Sequence, residues 1–499
     1  MLFTSFEFIL FLALLFLLYY LVPGKIQWIL LLVFNAGFLA SEGTKAAIVM
    51  AAMILNAYLA ALCIEKQRAQ YKGIEKKQGK LNKNKIWHML TVCLILNFGL
   101  ILIFKFASDT MPFGISYYGL MLAAYVTEVY RGNCSAEQNI FRLAAFVSFF
   151  PALVQGPVSR YGDLRKKLFA PHTFDSTRAA WGLERILWGY FKKLVVADRM
   201  MPAVQTIIEA PDLYTGVYVF YGMIFYAVQL YADFTGGIDI AMGIAQFLGI
   251  DLKENFNVPF SSRNLSEYWR RWHISLGEWI KDYVFYPMSI CRPVSRIAKK
   301  IKKNSISLGR RFPVYAAAVC AWFVTGLWHG REAHFILWGL GNCVVILVSR
   351  ELKPFYDRFH KKYPFFTGSG RMAVFYGHFQ AVRTFLLVCV LRMTDCYQDT
   401  GRTVKMFFQM FTEFSYSDLS VNKLLGLGIS GADYVILAAG IFLMYLAGRR
   451  KKKGEVQKYL MEIPVLLRYT LLLLLFFAVL IFGTYGIGYD ASQFIYNKV

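Results

Sequence analysis

Residues 324–342 read VTGLWHGREAHFILWGLGN. On the upstream side, Pro313 to Gly330 contains no Lys, Arg, Asp or Glu; on the downstream side, neither does Ala333 to Ser349. Each apolar arm approaches the ~20 residues a helix needs to cross the hydrocarbon core of a bilayer. At the junction of the arms sit His329, Arg331, Glu332 and His334. Ionisable groups at membrane depth are costly and by default mark function. The stretch sets two expectations: helices that enter a membrane, and a polar site at their junction.

Similar apolar runs recur, among them Phe8 to Val22, Leu90 to Phe104, Val435 to Leu446 and Val465 to Phe482. Of the 499 residues, 57% are hydrophobic and 17% aromatic, against ~45–50% apolar in ordinary soluble domains. About a dozen crossings or half-crossings fit the chain by length. The expected fold is all-α: a polytopic membrane helical bundle forming a single domain over residues 1–499, with no internal repeat. The opening MLFTSFEFILFLALLFLLYYLVPGK lacks a basic leader and a small-residue cleavage site and carries Glu7, so it reads as a retained first helix. Further helices are expected near 26–41, 46–64, 87–106, 111–130, 372–393, 431–448 and 465–486. Pro151, Gly156-Pro157 and Gly236-Gly237 cut the apolar runs between 139 and 250. They predict broken or re-entrant helices, which membranes tolerate where the backbone is buried in protein or lines a cavity.

The chain carries 55 Lys and Arg against 31 Asp and Glu, a net charge of +24. The positive charge is clustered at 65–85, 296–311 and 449–453. Short basic loops beside membrane segments stay cytoplasmic, so the charge reads as topology in a multi-pass membrane protein. No soluble domain carries a basic patch, which excludes nucleic-acid binding. From a cytoplasmic 449–453, one crossing near 465–486 places the tail, residues 487–499, outside the cytoplasm. The eight cysteines are scattered without a CxxC pair, so neither a metal site nor a disulfide framework is expected.

In NLSEYWRRWHISLGEWIKDYVFYP, residues 264–287, Leu265, Tyr268, Trp269, Trp272, Leu276, Trp279, Ile280 and Tyr283 recur at helical spacing. Charged residues fill the other face. An amphipathic helix lying at the membrane interface is expected over about 262–285, with Asn264 and Glu267 resembling a capping box. His273 falls at the edge of its apolar stripe, as a packing residue or a functional one. His329 and His334 are five residues apart rather than the four of HExxH, which argues against zinc. There is no GxSxG elbow and no GxxxxGK[ST] loop. His329, between Trp328 and Gly330, is either a hydrogen-bonded structural residue or a general base, since imidazole titrates near neutrality. Asp233 and Asp239 with Gln229, Glu128, and Gln155 are further intramembrane polar groups. They fit a cavity or ordinary helix–helix hydrogen bonding.

The stretches GISYYGLMLAAYVTEVYRG (114–132), FPALVQGPVSRY (150–161), QLYADFTGGIDIAMGIAQFLGI (229–250), NFNVPFSSRNLSEYWRRWHISLGEWIKDYVFYP (255–287) and TGLWHG (325–330) together resemble the membrane-bound O-acyltransferase family. The likeness is to its bacterial branch of alginate O-acetylases and teichoic-acid D-alanyl transfer proteins. Glu128 stands where that branch more often has Asp. The resemblance covers core motifs over 114–330. It implies a bundle with a central tunnel and acyl transfer from a cytoplasmic thioester donor to a hydroxyl on the far side. His329 matches the family's catalytic histidine and His273 its second characteristic histidine. Trp328 and Asn264 are candidate oxyanion donors. Gln155, Asp233, Asp239 and Glu128 are candidates for the tunnel or donor site.

The acceptor implied is an exported cell-envelope or extracellular polysaccharide. The expected donor is acetyl-CoA, with no bound cofactor; the alternative is a D-alanyl carrier protein serving teichoic acid. An extracytoplasmic SGNH or esterase-like transferase is the expected partner. Tyr496, in the tail SQFIYNKV, is either an interfacial anchor or an acyl relay towards that partner. A reading from another class is a secondary transporter or flippase using Asp233 and Asp239. Such proteins often pair broken helices in two matching halves, and that pairing is not seen here.

Overall fold

The computed structural model describes residues 2–70, 76–108, 110–452, 463–486 and 489. Among them every regular element is helical. Eight helices are long and apolar enough to cross a membrane: Thr44–Gln70, Asn84–Ala107, Val217–Phe247, Ile306–His329, Ala333–Glu351, Arg371–Tyr397, Gly431–Lys451 and Val465–Phe482. Phe6–Tyr19 and Gly24–Ala40 are shorter apolar helices. The basic loop 65–85 and the cluster 449–453 lie partly, and Tyr496 wholly, outside the described residues.

The described chain forms two compact units. One comprises Met1–Tyr190 with Gly236–Lys253, the other Phe191–Thr235 with Glu254–Ile487. In the first, the helix Ile115–Arg131 is buried from Ile115 through Val126 on all sides, as befits a helix apolar around its whole circumference. It leaves through Gly132 at φ 80°. A side chain on Gly132 would strike the Arg68 guanidinium, whose Nη1 donates to the Val129 carbonyl at 2.7 Å.

Gly236 and Gly237 do not break a helix, contrary to the sequence expectation: Val217–Phe247 runs unbroken through both. Gly236 instead sits where two helices meet. A Cβ on Gly189 would lie 2.6 Å from the Gly236 carbonyl oxygen, and one on Gly182 2.7 Å from that of Gly243. Ser176–Tyr190 and the end of the long helix thus cross with backbones in contact, the use membrane helices make of small residues. The interruption expected at Pro151 and Gly156-Pro157 is present, since Phe150–Val154 is a single short turn followed by irregular backbone to Arg160.

The interfacial helix expected over about 262–285 needs a second correction. It is four short pieces: Leu265–Trp269, Ile274–Ile280, the π-helical Lys281–Phe285 and Tyr286–Ile290. The chain turns at His273, held at φ 47°. The reason is a competing partner for the backbone. The Asn257 N–H donates to the Arg271 carbonyl at 2.9 Å, and the Ile274 N–H donates to the Asn255 carbonyl at 3.0 Å. Residues 255–257 thereby take up groups a continuous helix would have used internally. The helical spacing survives the break because Leu265, Tyr268, Trp272, Leu276 and Trp279 are all buried.

Candidate active site

In the second unit, Ile306–His329 and Ala333–Glu351 form a hairpin with Gly330, Arg331 and Glu332 at its tip. Glycines set its closeness. A Cβ on Gly326 would meet the Phe335 carbonyl at 2.6 Å, and one on Gly339 the Trp322 carbonyl at 2.5 Å. The Phe335 ring fills the place where any Gly330 side chain would go. The four ionisable residues separate into distinct roles. Arg331 and Glu332 pair with each other at 3.1 Å on the exposed tip. His334 is buried against Phe335, with ring centres 4.1 Å apart. His329 ends the first helix, half-buried, with the Trp328 ring 4.9 Å and the Trp338 ring 4.8 Å away, both edge-on.

His273 enters the same wall from the broken segment. It is 3% exposed, not at an edge as the periodicity suggested. Its ring meets Phe234 edge-on at 5.0 Å and Trp328 at 5.8 Å. Trp328 therefore touches both histidines. The Nδ1 atom of His273 lies 3.3 Å from Asn255 Oδ1. That oxygen also accepts the Ser275 N–H at 3.0 Å and the Ser275 hydroxyl at 2.9 Å. Because a backbone N–H can only donate, the shared atom is an acceptor, and neutral His273 carries its proton on Nδ1. Nε2 is then the basic nitrogen. Burial pushes the His273 pKa down to about 3, so the ring is uncharged near neutrality.

Asn264 is exposed and caps Leu265–Trp269, accepting the Glu267 N–H at 2.9 Å. Asp233 points into a buried ionic cluster: Lys193 Nζ is 2.6 Å from Asp233 Oδ1 and 2.8 Å from Asp198 Oδ1. Lys193 belongs to the π-helical segment Phe191–Ala197. In the first unit, Asp239 pairs with Arg185 at 2.8 Å. Glu128 pairs there with Arg131 at 3.1 Å and accepts from Asn133 at 2.7 Å. Gln155, in the same unit, is fully buried with no hydrogen-bond partner for either end of its amide.

Sequence reasoning missed Asn255, Trp338 and the pair Arg392 and Asp395. The last left a signal: LRMTD ends an apolar run, and an acid and a base one turn apart there are expensive enough to need a reason. Asn255 left none, since Asn in a polar loop is unremarked until the backbone it holds is seen.

Residues 36–391 match the sequence profile of MBOAT, the membrane-bound O-acyltransferase family. The chain belongs to this family. Among its relatives, the probable alginate O-acetylase AlgI of Azotobacter vinelandii is 35% identical over 244 residues, 49% of this chain and 45% of that one. The peptidoglycan O-acetyltransferase of Helicobacter pylori is 28% identical over 57% of this chain and 53% of its own. The teichoic acid D-alanyltransferase of Bacillus subtilis is 28% identical over 50% and 60%. The chain thus spans about half the length of the curated relatives it matches.

Proposed function

We propose that this chain is a membrane O-acyltransferase. It passes an acetyl group from acetyl-CoA on the cytoplasmic side, through a tunnel in the bundle, to a hydroxyl of an exported polysaccharide. The observation that carries this reading is the meeting of His273 and His329 on Trp328, in a family named for this chemistry. A hydroxyl attacks a thioester well only when a base removes its proton. His329 is that base. The hydroxyl proton moves to imidazole as the C–O bond forms. The tetrahedral oxyanion collapses, the C–S bond breaks, and the imidazolium returns its proton to the departing thiolate. The Trp328 indole N–H is the candidate oxyanion donor. Neutral His273, with Nε2 as acceptor, orients a donor or acceptor group rather than taking the proton. The capping of Asn264 and the ion pairs of Asp233, Asp239 and Glu128 favour supporting roles for these four. Gln155 keeps an uncommitted amide suited to a polar substrate group.

The test is transfer in proteoliposomes from acetyl-CoA labelled in the acetyl group. Base-labile label on a polysaccharide hydroxyl, lost in His329→Ala, is the expected result. Label that crosses the membrane without forming an ester would replace the enzyme with a transporter. The relative in Bacillus subtilis, named for teichoic acid D-alanyl transfer, supports a second reading with a D-alanyl carrier protein as donor. Supplying that donor in the same vesicles separates the two. Relayed transfer is the variant of either reading: Tyr496 takes the acyl group first and an extracytoplasmic SGNH or esterase-like partner moves it to the polymer, so that without the partner the label stays on the tyrosine. Unchanged polymer acylation in Tyr496→Phe would leave the tyrosine as an anchor.

A further inference from the structure

Arg392 lies one residue beyond the family match, near the end of the helix Arg371–Tyr397. It is 4% exposed. Its Nη1 is 3.5 Å from Asp395 Oδ2, and the Tyr226 phenol is set against the same carboxylate. The guanidinium carbon lies 4.6 Å from the centre of the Trp272 ring and 5.7 Å from that of Trp338. Trp272 directly precedes His273 in the chain, and Trp338 is edge-on to His329 at 4.8 Å. One buried cation therefore lies over two tryptophans: Trp338 touches His329, and Trp272 is joined to His273 by the chain.

We infer that Arg392 is a positioning residue for acyl transfer, its guanidinium fixing Trp338 and Trp272 and through them the orientation of His329 and His273. The inference rests on the His329 reading above. Stability alone does not account for the pair, since well-packed apolar residues commonly replace a buried ion pair without loss. A planar guanidinium can lie flat on two rings; a lysine ammonium is a point charge that cannot. Asp395, 3.5 Å from Nη1, helps to hold the guanidinium against the rings.

The experiment uses the full chain in detergent and compares Arg392→Lys, Trp338→Phe and the double variant. Turnover is expected to fall about tenfold or more in each single variant, since small misplacements of reacting groups are that costly. KM for the donor should stay within about threefold. The double variant should be no slower than the worse single, because both changes release the same ring. Effects that multiply would overturn the inference. A second readout does not depend on turnover: the rate at which diethyl pyrocarbonate modifies His329, followed peptide by peptide. It is expected to change about threefold or more in both single variants, with His360, which faces Tyr376, unchanged. An unchanged His329 rate also overturns the inference. If His329→Ala retains turnover, the catalytic reading fails, and the labelling still decides whether Arg392 orients that ring. Should Arg392→Lys not fold, Arg392→Met with Asp395→Leu removes both charges together, and the same change in labelling is expected.

Discussion

His329 and His273 are the same side chain in two solvation environments, and their expected behaviour divides accordingly. His329→Ala should cost ~10²–10⁴ in transfer rate, the usual worth of a general base, with insertion and folding retained; a rate within a few-fold of wild type would exclude it as the base. His273 is already uncharged, so His273→Asn should lower turnover without moving the acid limb of the pH–rate profile. Asn is also among the residues that tolerate the φ of 47° at that turn. The same burial has a stability consequence. An unfolded chain takes up a proton at His273 near 6.5, whereas the folded one resists until about 3. The unfolded state binds more protons across that window, so stability rises with pH from about 3 to about 6.5 and then levels off. Melting temperatures in detergent at pH 7 and pH 5 test this: His273→Asn should lose less on acidification than the wild type.

Among the elements, glycine is where the sequence misled and where the structure is most specific. Gly236-Gly237 reads as a breaker because glycine is costly in an isolated helix. In the bundle the missing Cβ of Gly189 lets the Gly236 backbone approach, a property of the pair of helices that no single segment displays. Gly243→Ala puts a methyl 2.6 Å from the Gly182 carbonyl and 2.8 Å from the Ile186 nitrogen, both backbone atoms. Overpacking of this kind costs ~1–3 kcal/mol and should lower the melting temperature. Gly37→Ala, in the helix Gln27–Ala40 with nothing within 4 Å of its added Cβ, is the control and should be neutral or slightly stabilising. The long apolar helices were legible because length and composition suffice to define them. The break at His273 was not, because it depends on hydrogen bonds to residues 255–257, outside the periodic segment. His329 announced itself by standing where two charge-free arms join. The Trp338 and Arg392 contacts that surround it arise only when separate helices pack.

Over the whole molecule, the clustered positive charge gives an expected orientation. Lys299→Cys, in a background without the native cysteines, should resist an impermeant maleimide in intact cells and react after permeabilisation; labelling in intact cells would reverse the topology. The buried ion pairs bear on how such a chain reaches its membrane at all. An aspartate midway along a helix opposes entry into the bilayer by about 2.5–3.5 kcal/mol, and Val217–Phe247 carries two. Each finds its cation earlier in the chain: Lys193 precedes Asp233 by 40 residues and Arg185 precedes Asp239 by 54. A ribosome therefore delivers both cations before either acid emerges. Lateral release of the long helix from the insertion machinery is expected to be easier with the preceding segment beside it. The two ion pairs thus give an expected order of events in biogenesis: a chain shorn of residues 176–197, which loses Arg185 and Lys193, should insert Val217–Phe247 less readily than the full one.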